Sequence, residues 1–97
     1  MIAVLTHHWA KKDLCQEARI LLDGNGSAQS RSHGFISRTT FTSRTDPTMI
    51  SSIVIWENDE IYDQWKASPE RETAMRGATD LWAKPPISER YDIVQSL

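Results

Sequence analysis

The chain has 97 residues, a length that supports one hydrophobic core and leaves no room for a second, so residues 1–97 are expected to form a single domain. Eleven Lys and Arg against thirteen Asp and Glu give a net charge of -2, which supplies no positive field for a phosphate backbone or an anionic membrane and argues against nucleic acid as a partner. Four Trp within a 39% hydrophobic composition argue against disorder, while a chain this short buries only about 60–70% of its unfolded surface and gains stability from a partner.

Residues 2–9 set Ile2, Val4 and Thr6 on one parity and Ala3, Leu5, His7 and Trp9 on the other, the pattern of a strand covered on both faces. Asp13 with Gln16 three residues on resembles a capping box, and Leu14, Ala18, Leu21 and Leu22 recur at helical spacing, which predicts a helix over about 13–23. The run Asp23-Gly24-Asn25-Gly26-Ser27 predicts the end of that helix and a polar loop to His33, because glycines suit a C-terminal cap and small polar residues compete for the backbone. Gly34–Thr42 and Met49–Trp56 are rich in β-branched and aromatic residues and are separated by Asp46-Pro47, which predicts a hairpin. Asn58 caps a second helix carrying Ile61, Tyr62 and Trp65 on one face, and Ser68-Pro69 breaks and restarts it. Pro85-Pro86 forbids its continuation, and Ile87–Val94 alternates as a fourth strand.

The order β-α-β-β-α-β predicts an α+β fold of the ferredoxin-like kind, an antiparallel sheet with helices on one face. Strand three offers Ile53 and Ile55 on one parity and Val54 and Trp56 on the other, so the second sheet face needs cover, and a homodimer packed sheet on sheet is the simplest source. A single cysteine, Cys15, excludes an internal disulfide and suits a reducing compartment, and the apolar start MIAVL is too short for a signal core or a membrane span. A cytoplasmic protein is expected. HExxH, GxxxxGK[ST], GxGxxG and GxSxG are all missing, which disfavours hydrolase, kinase and dinucleotide-dependent roles.

Gly34-Phe35 opening strand two, Ile53-Val54-Ile55-Trp56-Glu57-Asn58 running into the second helix, and Trp65-Lys66-Ala67-Ser68 together resemble the antibiotic biosynthesis monooxygenase family. The resemblance spans nearly the whole chain. It implies a dimeric α/β barrel with a pocket between each subunit's sheet and helices, in a family that includes cofactor-free oxygenases of polycyclic phenols and haem-degrading oxygenases. The haem-degrading pattern meets Trp65 here, but His7 stands where that pattern has Asn and Met75 where it has the iron-ligating His. Haem degradation is therefore not expected, and neither cofactor nor metal is implied.

On that resemblance His7, sharing its parity with Leu5 and Trp9, aims between sheet and helices, where a neutral imidazole would take a phenolic or carbon-acid proton. The alternative is a hydrogen-bonded His at a strand end or a dimer seam. His8, next in the chain, points to the opposite face. Trp65 and Tyr62, with Trp9, are candidate walls for a flat aromatic substrate, or else core filler. Arg38 is either a pocket cation that stabilises a phenolate, enolate or carboxylate, or a solvated group on an edge strand. These readings imply a cofactor-independent monooxygenase acting on an aromatic or polyketide-like small molecule. The competing class is a non-catalytic dimeric binding or stress-response module of the same fold.

Overall fold

Strands β1 (Ile2–Ala10), β2 (Phe35–Thr42), β3 (Met49–Trp56) and β4 (Trp82–Asp92) form one antiparallel sheet in the order β2-β3-β1-β4 in the computed structural model, which describes residues 1–97. Helix α1 (Cys15–Ser30) follows β1 through a single turn at Lys12–Leu14, and α2 (Asp59–Lys66) and α3 (Pro69–Ala74) follow β3. This is the expected α+β, ferredoxin-like arrangement. No helix is long and apolar enough to cross a membrane.

The local signals around the second helix act as their chemistry dictates. Asn58 Oδ1 accepts the Ile61 N–H at 2.9 Å and Ser68 Oγ accepts the Arg71 N–H at 3.1 Å, with Pro69 in the first turn of α3, so each helix start has one of its orphan donors satisfied. Trp56, fully buried at the end of β3, meets Phe35 edge-on at 5.7 Å and Trp65 stacked at 6.2 Å between centroids. With Ile2, Val4, Val54 and Ile61 these rings form the core that fixes α2 on the sheet. Gly34 is required beneath that helix, since its φ is +81° and a Cβ there would lie 2.5 Å from Ile61.

Three expectations are corrected. Helix α1 does not stop at 23 but runs to Ser30. Leu22, Asn25, Gly26 and Gln29 are buried against the sheet, and that packing offsets the roughly 0.5–1 kcal/mol each helical glycine costs. Strand β4 begins at Trp82, before Pro85-Pro86, and not at Ile87. It is an edge strand, and its pairing with β1 shifts register between His7 and Ala10, opposite the prolines, where a missing N–H breaks no regular ladder. The second half of the second helix ends at Ala74, not near Pro85, because Gly77 turns the chain with a φ of +82° into a short turn at Ala78–Leu81.

The faces of the sheet are also exchanged relative to expectation. Ile2, Val4, His8 and Ala10 of β1 turn toward the helices with Ile50, Ser52, Val54 and Trp56 of β3, whereas Ala3, Leu5, His7 and Trp9 turn to the open face. Both parities of β1 are apolar enough to be buried, so alternation within the strand does not choose between them. Its neighbours do. The even positions of β3 carry Trp56, the largest fully buried side chain, and cross-strand pairing takes β1 with it.

Candidate functional site

Between the helix side of the sheet and helices α1 to α3 lies a cavity of about 490 Å³. Sheet residues Val4, Thr6, His8, Arg38, Ser52 and Trp82 form its floor, and Leu22, Asn25, Gln29, Tyr62, Trp65 and Met75 come from the segments above. Arg71 and Lys66 also reach its wall, and no Asp or Glu does. A cavity of this size with convergent polar groups has the dimensions of a small-molecule site. A larger hollow of about 570 Å³ between α1 and α3, lined by Ile20, Leu21, Pro69 and Thr73 and carrying Arg31 and Glu70 as well, is an open groove.

His8 is the titratable ring of the cavity. It is only 8% exposed and lies against Trp82 with 4.6 Å between ring centroids. Burial, with repulsion from Arg38, Arg71 and His7 added, pulls its pKa from 6.5 down to about 4, so at neutral pH it is an uncharged imidazole that accepts or donates a hydrogen bond.

Arg38 is held by α1. Its Nη1 donates to Gln29 Oε1 at 2.7 Å, and its stem crosses Gly26 so closely that a Cβ there would lie 2.7 Å from both Cδ and Nε. Burial lowers its pKa, while Asp23 opposes the shift from a distance. The ion pairs of the chain join Arg19 to Asp23 and Arg90 to Asp59 and Asp63, so the Arg38 charge is set into the cavity without a carboxylate against it. Asn25, 7% exposed, adds an amide whose Oδ1 is buried without a hydrogen-bond partner.

The candidates read from sequence divide between two faces. Arg38, Tyr62 and Trp65 meet at the cavity, and Tyr62 is covered on its outer side by the Arg90 guanidinium at 4.7 Å. Trp65, 3% exposed and stacked on Trp56, is at once core and wall. His7 and Trp9 do not reach the cavity. His7 Nδ1 shares a hydrogen bond of 2.5 Å with Ser51 Oγ on the open face, and Trp9 lies beside it beneath the Lys84 ammonium at 4.1 Å. The placement of His7 and Trp9 between sheet and helices is thus corrected, and His8 stands there instead, because the whole strand faces the other way. Met75 packs against the Ala10, Ala18, Leu22 and Ile50 cluster at the cavity's edge. Sequence reasoning passed over Asn25 and Gln29, although Ala18, Leu22, Asn25 and Gln29 continue one helical stripe beyond the glycines.

Neither a family model nor a curated protein matches the sequence. In three dimensions the chain is similar to a candidate antibiotic biosynthesis monooxygenase from Nitrosomonas europaea, at 17% identity over 98% of this chain and 100% of that one, with a TM-score of 0.89. SnoaB, a cofactor-independent oxygenase from Streptomyces nogalater, matches at 14% identity over 99% and 95% of the two chains, TM-score 0.87. A conserved protein from Methanosarcina mazei matches at 17% identity over 93% and 89%, TM-score 0.85. The chain has the antibiotic biosynthesis monooxygenase fold, and at these identities the likeness is one of fold.

Proposed function

We propose that this chain, sharing its fold with the antibiotic biosynthesis monooxygenases, is a cofactor-independent monooxygenase of that type, acting as a homodimer on a polycyclic phenol or enol of the polyketide kind. The observation that carries the reading is the cavity, which sets a guanidinium and a neutral imidazole among Tyr62, Trp65 and Trp82 with no acid on its wall. Arg38 stabilises the oxyanion of a bound phenol by charge-assisted hydrogen bonding, and His8 takes the proton. The electron-rich anion then reacts at carbon with dioxygen. For a ring methylene, CH₂ and O₂ become C=O and H₂O, so the substrate supplies all four electrons and no external reductant enters. Leu5, Phe41, Ile53, Ile55 and Ile87 share the open face of the sheet, which supports two copies packing sheet on sheet.

Dioxygen uptake with an anthrone, without added flavin or metal, tests the proposal. His8→Ala is expected to lower turnover by about 10²–10⁴-fold, and His7→Ala to leave turnover per folded molecule nearly unchanged. Uptake no faster than in buffer, or full activity in His8→Ala, would sink it. The second reading, a dimeric binding module, is favoured by the same pKa of about 4 at His8, which makes that ring a weak base until an anion lies beside it.

A further inference from the structure

The geometry points to a selective site for aromatic acids: a flat aromatic carboxylate whose anionic end meets Arg38 and whose rings lie against Tyr62 and Trp82. This rests on the cavity being the substrate site of the reading above and deepens it, but it does not depend on oxidation.

Three observations carry the inference. The first is charge. Arg38, Arg71 and Lys66 line the cavity with no Asp or Glu among its walls, and Arg38 belongs to none of the chain's ion pairs. A partly buried cation is ordinarily paired, and one that is not favours any anion that reaches it. The second is preorganisation. The stem of Arg38 lies in the groove left by Gly26, and Gln29 takes one N–H of Nη1, so the remaining N–H groups of the fork are held in place before a ligand arrives. A planar fork matches a carboxylate, which accepts two parallel hydrogen bonds, better than it matches a single phenolic oxygen. The third is the amide of Asn25, 7% exposed in the same wall with its Oδ1 unpartnered. Rotating this amide about χ2 offers either a donor to the anion or an acceptor to a neighbouring ring hydroxyl. The aromatic walls supply the other half of the recognition, because a fused ring stacks on indole whatever its substituents.

The test uses 2-naphthoate and its neutral counterpart 2-naphthamide, titrated into the full chain with tryptophan fluorescence and calorimetry as readouts. The acid is expected to bind about 10–100-fold more tightly than the amide, the range for a hydrogen bond to a charged group. In Arg38→Gln that preference should fall to near one while the amide still binds. Equal binding of the two probes by the unaltered chain overturns the inference without recourse to any variant, and a preference retained in Arg38→Gln overturns it as well, whatever Arg71→Gln does. Neither naphthalene carries an oxidisable methylene. Acid-selective binding with no dioxygen uptake from the anthrone would therefore defeat the oxygenase reading and leave this one standing.

Discussion

Acidification should destabilise this protein through one ring. In the native state His8 is 8% exposed and its pKa lies near 4, with burial as the main cause and Arg38, Arg71 and His7 as lesser ones. In the unfolded chain it returns to about 6.5. Between those values the unfolded state holds a proton that the native state refuses, so stability is fully present above pH 6.5 and falls as pH drops toward 4. The gap corresponds to at most about 3 kcal/mol, a large share of the roughly 5–15 kcal/mol available to a domain. Urea unfolding at intervals from pH 7 to pH 4, in the unaltered chain and in His8→Gln, isolates the effect. Asp46 and Asp63, whose pKa values are lowered by hydrogen bonds from Thr48 and Arg90 respectively, titrate alike in both proteins and cancel in the difference. Convergence of the two curves as pH falls, with the unaltered chain losing about 1–3 kcal/mol more than the variant, is the expected outcome. Parallel curves would mean that the native ring takes up its proton freely, and the account of a buried ring among cations would fail.

Two further predictions concern the walls of the cavity and the open face. Gly26→Ala should keep or slightly raise the melting temperature, since Ala is the better helix former by about 0.5–1 kcal/mol, yet its Cβ would fall 2.7 Å from Arg38 Cδ and Nε; loss of the preference for 2-naphthoate with the fold intact is the expected titration result. Light scattering should give about 22 kDa for the unaltered chain, twice 11.1 kDa, and about half that for Ile53→Asp, which sets a carboxylate in the middle of the open face. A single species of about 11 kDa in the unaltered chain would contradict the homodimer.

The order and type of the elements were legible in the residues because each signal is local. Asn58 and Ser68 cap where they stand, Pro69 opens a helix, and Asp46 turns the hairpin by accepting from the Thr48 N–H and hydroxyl. The spacing from Trp56 to Trp65, read as a family likeness, also matched the fold. Tyr62, Trp65 and Arg38 were legible only as alternatives, wall or core filler for the two rings and pocket cation or solvated edge group for the arginine, and it is the packing of the helices over the sheet that brings all three to the cavity.

What local pattern left undecided was settled by partners distant in sequence. Two glycines end a helix in isolation, but Gly26 lies over Arg38 of the next strand, and burial of that face carries α1 on to Ser30. Two prolines read as the stop of a helix with the strand beginning after them, but β4 takes them in because it lies at the sheet's edge opposite a shift of register. Above all, the choice between His7 and His8 is a binary one that alternation poses and cannot answer, since a strand apolar on both parities is equally content either way up. Pairing with β3 answers it: Trp56 and Ile50 are buried beneath the helices, Ile2, Val4 and Ala10 join them there, and His8 is carried into the cavity while His7 is left on the open face with Ser51.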